Sequence, residues 1–437
     1  MSSLREAIRF LTLFAAEEIP AAIVTYVALL MLLQMGLTPA VATLCSALLF
    51  VPWVLKSFMR SWVKRVGNFR YMLHIIEALL FISLVLLAFS FNRGPTAVFF
   101  ALLLVSLLCA WHELAARMYY ERMLRPFFQR LLTPPKLVCS QIVVIFTYGA
   151  LIFLVGTLEV YFRQIRYSWS MGCYVAAGLF LLFAFHHLIW LRGVKSEKLR
   201  AKNKKNNMAN ESNSDSSLFT LLPSSQAQTK RSSLYPVLIL FLLLLPQGLM
   251  FHARVLYLYM SGDQGGLECT MQEIGFAQGT VGVIAFSIGI ALGRWLMIKG
   301  ERMKDLNGEK KRFSILYHLF TISLFLSPFV YLGMTICPPQ YLWQLCLCTM
   351  TAQLLFGLGL GVCRLPISAI SGARYRNTIN MLQIPVVSAA LFIPMAISGW
   401  LVEQLGFDTY FLVNALCAPV CLLGVILLRR REIPHAL

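Results

Sequence analysis

Two adjacent glutamates, Glu17 and Glu18, interrupt the stretch FAAEEIPAAIV (residues 14–24), which is otherwise apolar enough to lie inside a membrane. An ionisable side chain at that depth costs at least about 2.5 kcal/mol, and such residues mark routes for ions, protons or substrates. If the helix enters hydrocarbon near Ile8, Glu17 lies about 13 Å deep, close to the bilayer centre. Pro20 deprives the Ala16 carbonyl of its hydrogen bond and favours a kink one turn away. A carboxyl beside a flexible point can take a proton when buried and lose it when exposed, because burial favours the neutral form. That is the coupling chemistry of a proton symporter. The competing reading is a glutamate held neutral, or paired to another helix, that only fixes packing. Glu17 and Glu18 point about 100° apart on a helix, so one of them can face a pathway while the other packs.

Other polar residues fall in apolar stretches. Arg254, with His252 in FHARVLYLY, could clamp a carboxylate or phosphate bidentately, or snorkel to the outer headgroups. Lys56 and Glu113 lie about 26 and 27 Å along their helices from the outer side, near the inner face. They could pair as a gate, Lys56 could pair instead with Glu77, or both could simply reach the surface. His74 and Glu77 form an i, i+3 pair. Asn377 and Asn380 in RYRNTIN could cap a helix, cross-link it or touch substrate. His186, His187 and Trp190 are expected at the interface, and Arg294 as an anchor. Of eleven cysteines, nine lie in or beside apolar segments, and CLC at Cys346–Cys348 has the wrong spacing for zinc. Cys269 and Cys337 fall in loops on the outer side, where either a disulfide or two free thiols could occur.

Helices must hold these residues in place. Of 437 residues, 58% are hydrophobic and 13% charged, and mean hydropathy is +0.71. A soluble chain of this length needs more charge to cover its surface. Apolar spans are predicted at about 8–34, 39–58, 71–91, 95–116, 136–160 and 168–191. They resume at about 236–260, 272–298, 313–335, 340–363, 377–402 and 408–428, twelve in all. The net charge of +19 is a matter of topology. With the N-terminus inside, 32 of the 38 Lys and Arg fall in inside segments, three outside (Arg93, Arg163, Arg166), and three within spans (Lys56, Arg254, Arg294). That bias is the positive-inside pattern and predicts both termini in the cytoplasm. It excludes nucleic acid as the partner, since no basic–aromatic interleaving occurs. The start, MSSLREAIRFLTLF, runs straight into the first span with no cleavage site, so no signal peptide is expected.

Residues 193–234 are polar and low in complexity and cannot bury enough surface to fold. Three regions follow: 1–192 with six spans, a basic cytoplasmic linker at 193–234, and 235–437 with six more. Each half opens with a proline-bearing helix (Pro20, Pro246), a short outer loop and a helix rich in small residues. GLTPAVATLCSALLF answers LECTMQEIGFAQGTVGVIAF.

This plan resembles the major facilitator superfamily. Its signature G-x-x-x-D-[RK]-x-G-[RK]-[RK] meets SWVKRVGNFR (61–70): Arg65, Gly67 and Arg70 fit, but Lys64 replaces the Asp, so that residue's gating role is not implied. EEIPAAIVTYVALLMLLQMGLTPAVATLCSALLFVPWVLKSF is similar to the opening of the muropeptide permease (AmpG) and acetyl-CoA transporter branch. Glu17, Ile19 and Pro20 match, Glu18 replaces a glycine, and VPWVLK supplies Pro52 and Lys56. In HELAARMYY (112–120), Glu113 and Tyr119 correspond to the branch's Q-D-I-A-x-D-A-Y-R, while Arg117 replaces its second Asp. The resemblance implies an all-α polytopic fold of two six-helix bundles that rock about a midplane site.

The expectation is therefore a proton-coupled importer of an anionic, muropeptide-like cell-wall fragment, with a small molecule, protons and the bilayer as partners. A monomer in a bacterial inner membrane is expected, with no cofactor and no metal. Alternatives are another cargo (a siderophore, sugar or acyl ester) or a transport-inactive receptor. An enzyme is disfavoured: WHELAARM supplies H-E-x-x without the second histidine of a zinc protease, and no Walker motif occurs.

Overall fold

The computed structural model describes residues 2–56, 59, 63, 69–123, 126–191, 234–307, 310–370 and 376–432. Among these the chain is helical almost throughout. The helices before residue 192 are α1 (Ser2–Ala22), α2 (Ala28–Gln34), α3 (Pro39–Leu48), α4 (Val51–Val54), α5 (Phe69–Ser90), α6 (Pro95–Met123), α7 (Pro126–Val144), α8 (Leu151–Phe162) and α9 (Ile165–Trp190). Those after residue 233 are α10 (Leu234–Tyr259), α11 (Met271–Ile274), α12 (Val283–Asn307), α13 (Lys310–Ile336), α14 (Leu342–Ile370) and α15 (Arg376–Glu432). Among the described residues, eight helical stretches are long and apolar enough to cross a membrane. The predicted spans fall largely on helix, but span 39–58 is interrupted by a turn at 49–50, and α15 carries the last two. It runs on through Gly406, whose φ of 73° and ψ of 164° break the helix at the predicted turn. The predicted linker and most of SWVKRVGNFR lie outside the described residues.

Three wide π-turns relieve the long helices: Ile23–Val27 between α1 and α2, Ile145–Ala150 between α7 and α8, and Gly275–Gly282 between α11 and α12. The first follows Pro20, where a backbone hydrogen bond is already missing. In α10, which carries Pro246 in its interior, Asn414 Nδ2 donates to the Pro246 carbonyl (3.3 Å), tying the helix at its proline to α15. Outward-facing side chains such as Phe100, Leu182, Phe185, Leu416 and Val420 are exposed, as lipid-facing residues must be. Tyr161, Phe162, Tyr167, Tyr341 and Trp343 gather at helix ends, in the manner of an interfacial aromatic belt.

Helix ends near residues 34–39, 90–95, 162–165, 259–271 and 336–342 form one face, called here the loop face. Close to it the first and second sets of helices touch. Helix α3 packs along α15, and the π-turns Ile145–Ala150 and Gly275–Gly282 pack on each other. Absent side chains permit both approaches: a Cβ on Gly279 would lie 2.4 Å from the Tyr148 carbonyl oxygen, and one on Gly399 2.2 Å from that of Pro39. Small residues are how membrane helices bring backbones together, since lipid supplies no hydrophobic drive for it. Polar ties reinforce the seam. Glu403 Oε1 accepts from the Ala40 backbone N–H (2.8 Å) at the start of α3, and Thr43 Oγ1 accepts from Gly399 N–H (3.2 Å). The two sets of helices are thus closed against each other at the loop face.

Candidate functional site

Helix α1 buries Ala15, Ala16, Ile19 and Pro20, yet Glu17 and Glu18 in the same turn keep part of their surface accessible. The two glutamates separate as their angular offset predicts. Glu18 Oε1 accepts a hydrogen bond from Ser140 Oγ of α7 (2.7 Å). Glu17 makes no hydrogen bond with the described residues and lies within the electrostatic reach of Lys136, Glu113, Glu18 and His112. Lys136, also on α7, sits with Nζ 3.8 Å from the Phe14 ring centroid, a cation–π contact that leaves its charge beside both carboxylates.

Across the seam, α10 presents His252 and Arg254, both buried. His252 Nε2 meets Ser46 Oγ of α3 at 3.2 Å, so it links the two sets of helices. The Arg254 guanidinium lies 5.1 Å from the Phe251 ring, its Nε has no hydrogen-bond partner, and no carboxylate pairs with it among the described residues. Snorkelling to a headgroup does not describe a guanidinium with 8% relative exposure. Tyrosines surround it instead: Tyr26, Tyr148 and Tyr331 all feel its charge. Tyr26 and Tyr148 stack (5.2 Å between centroids), and Tyr26 also packs on Phe251. Gln278 Nε2 donates to Tyr331 Oη (2.9 Å) and Gln278 Oε1 accepts from Gln353 (3.3 Å). Tyr26 thus joins Tyr148 of the first set of helices to Phe251 of α10, the ring beneath the Arg254 guanidinium. Two carboxylates on one side and an unpaired guanidinium on the other can hold a proton and an anion in one neighbourhood.

Lys56 pairs with Glu113, joining the end of α4 to α6, and Trp53 Nε1 donates to the other oxygen of Glu113 (3.0 Å). Both partners belong to the first set of helices, so the pair fastens that set internally. Glu77 does not meet Lys56. It is buried and taken up by three histidines: His187 Nδ1 at 2.6 Å, with His112 Nε2 and His74 Nδ1 each at 3.5 Å. His187 is therefore not the interfacial residue expected from its place near the helix end. It is 1% exposed because α9 turns that face onto α5, whereas its neighbour His186 stacks on Trp190 (6.1 Å). Helix α15 contains Asn377 and Asn380, but their side chains lie outside the described residues. Cys269 and Cys337 are both free, the first half-buried and the second exposed.

Several residues escaped sequence reasoning. Lys136 carried a weak signal, being a lysine at the very start of an apolar span. His112 and His187 were visible as histidines at the inner ends of their spans, but not as partners. Tyr26, Tyr148, Tyr331 and Gln278 carried none, because aromatic and amide residues are ordinary in such helices. At the loop face a cavity of about 810 Å³ is lined by Gln34, Glu159, Glu268 and Gln272, among others. There Gln34 donates to Glu159 (3.1 Å) and accepts from Trp169 Nε1 (2.5 Å).

Neither a family model nor a curated protein matches the sequence. Solved structures do match. A bacterial homologue of the human lysosomal transporter Spinster, in an inward-facing and occupied conformation, aligns with a TM-score of 0.70 at 12% identity, covering 97% of this chain and 96% of that one. The nucleoside transporter NupG aligns at 0.66 and 13% identity, with 98% of each chain covered. A D-xylose–proton symporter aligns at 0.61 and 12%, with 96% of each covered. The chain has the fold of these transporters. That fold extends over nearly the whole length, in an all-helical multi-pass membrane protein. None of the three is a muropeptide permease or an acetyl-CoA transporter.

Proposed function

We propose that the protein is a proton-coupled secondary transporter of an anionic small molecule, working by alternating access. In this reading it has twelve crossings in two six-helix bundles, 1–192 and 235–437, with both termini in the cytoplasm of a bacterial inner membrane. The observation that carries it is Arg254: a buried guanidinium with no carboxylate partner among the described residues, set among Phe251 and the tyrosines of the seam. A buried unpaired charge is too costly to keep for packing alone, whereas an arriving carboxylate or phosphate neutralises it bidentately. Glu17, without a hydrogen-bond partner among the described residues and partly accessible, is the proton-coupling carboxylate. Glu18, held by Ser140, is the orienting one, and His252 reports the closed seam through Ser46. With the loop face closed, release and proton exchange take place on the opposite side, where Lys56, Glu113 and Glu77 set the packing of the first bundle. The sequence resemblance favours a muropeptide-like cargo, whose lactyl and peptide carboxylates suit Arg254. Asn377, Asn380 and a monomeric state belong to the same reading.

The test is uptake of labelled anhydro-muropeptide into proteoliposomes under an imposed pH gradient, wild type beside Glu17→Gln. Gradient-driven uptake that disappears in the variant is expected. Undiminished uptake by Glu17→Gln makes that glutamate structural, and no uptake by folded wild type sends the search to another anionic cargo.

A further inference from the structure

The Glu77 cluster lies apart from the residues given to coupling and cargo, and its hydrogen-bond count is unbalanced. One carboxylate of α5 faces three imidazoles drawn from α5 (His74), α6 (His112) and α9 (His187). Glu77 and His187 are buried, and His112 has no exposed surface. On the far side of each ring, His74 Nε2, His112 Nδ1 and His187 Nε2 are buried without a partner.

Consider the charge states. With Glu77 ionised and every imidazole neutral, the cluster is a buried monoanion, which is costly in a low-dielectric interior. One added proton makes it a neutral carboxylate–imidazolium set, in which Glu77 accepts charge-assisted hydrogen bonds. A second added proton produces a buried monocation. Neutrality therefore singles out one added proton. The contacts to the Glu77 carboxylate come from the three histidines, with other charged groups further out. On α6, Glu113 is already paired with Lys56. On α9, His186 stacks on Trp190 and meets Thr12 of α1. From α1 the facing groups are Glu17 and Glu18, and Glu17 lies within the electrostatic reach of His112. On α5 itself, Arg70 is half-buried one turn before His74, and Arg117 lies on α6 beyond Glu113. No group of three or more His, Cys, Asp and Glu among the described residues has the geometry to hold a metal ion.

We propose that Glu77, His74, His112 and His187 form a second proton-binding site, distinct from Glu17, that holds one proton while the loop face is closed. The proton ties α5, α6 and α9 together through Glu77. His112 is the member that communicates with the α1 carboxylates, since it is the one whose charge Glu17 feels. The site does not depend on what the protein carries, because a chain that transports nothing still has this charge to balance.

The experiment is nitrogen NMR of protein labelled with 15N only in histidine, reconstituted in liposomes, at about pH 7. The chemical shifts separate neutral tautomers from imidazolium, and the chain has seven histidines. One imidazolium per molecule that is lost in Glu77→Gln and kept in Glu17→Gln is the expected result. Wild type with only neutral imidazoles overturns the proposal without any variant having to fold. So does an imidazolium that survives Glu77→Gln. His187→Asn, which removes the shortest contact, provides the second variant: it should weaken or move the signal, and an unchanged spectrum there also overturns the assignment. Failure of muropeptide uptake leaves all of these spectra unaffected, so the two readings fail separately.

Discussion

Adding one methyl group at Gly399 tests whether the closed loop face is a state of the protein. A Cβ there falls 2.2 Å from the Pro39 carbonyl oxygen and 2.3 Å from Thr43 Oγ1, where real contacts essentially never come under 3.0 Å. Reaching that limit from 2.2 Å requires α3 and α15 to separate by at least about 0.8 Å. Overpacking of this kind costs about 1–3 kcal/mol. Separation also stretches the bonds from Gly399 N–H to Thr43 and from Ala40 N–H to Glu403, the latter charge-assisted. The cost falls only on the state in which α3 and α15 touch. A bias of 1–3 kcal/mol changes the ratio of closed to open molecules by about 5- to 150-fold. The assay is a spin-label distance measurement between Val160 and Tyr341, which are exposed on opposite sides of the seam, with the native cysteines replaced. Gly399→Ala should shift the distribution to longer distances. Gly178→Ala and Gly333→Ala, where nothing lies within 4 Å of the added atom, should leave it alone. An unchanged distribution in folded Gly399→Ala would refute the inference that this contact is exclusive to one state.

Three further outcomes are expected. Glu113→Gln, which strands the buried Lys56, should destabilise the protein by about 3 kcal/mol, Lys56→Met, which leaves a half-buried Glu113, by less, and the double variant should recover much of the loss; additive losses in thermal unfolding would show that the pair is not coupled. Replacing Arg254 by Gln should weaken binding of the anionic cargo about 10- to 150-fold in calorimetry, corresponding to about 1.5–3 kcal/mol for hydrogen bonds to a charged group. Arg254→Lys should recover only part of this, because an ammonium cannot bind bidentately; equal affinity in Arg254→Gln would remove the guanidinium from the site. Burial and the neighbouring Glu273 push the Cys269 thiol, in the loop between α10 and α11, up to about 12. Since the thiolate is the nucleophile, maleimide at about pH 7.5 should label exposed Cys337 quickly and Cys269 slowly, with the Cys269 rate rising as pH rises; equal rates would contradict its buried setting.

How far the sequence could be read depended on whether a property is local. Hydropathy is summed residue by residue along one helix, so the helical, membrane-crossing character of the chain and the turn near Gly406 were legible before any fold was known. Charge placement is equally local, and it assigned 32 of 38 basic residues to one side. Proline marked where α1 and α10 lose a backbone hydrogen bond, because its missing N–H acts on its own helix. The π-turns at Ile145–Ala150 and Gly275–Gly282 were not legible, since they answer to a facing helix more than to their own residues. Pairing is likewise non-local. Lys56 had two candidate acids, and helix rotation chose Glu113. Glu77 took partners 35 and 110 residues away, one of which, His187, looked interfacial from its position near a helix end. Glu17 and Glu18 were known to diverge by about 100°, but only the packing of α1 on α7 decided which one met Ser140. The sequence by itself determined that this chain lives in a bilayer with carboxylates and a guanidinium at depth, because the cost of placing each residue there is its own. Tertiary structure decided which of those charges are paired and which stand open, because that depends on the rotation of helices that the chain brings together from far apart.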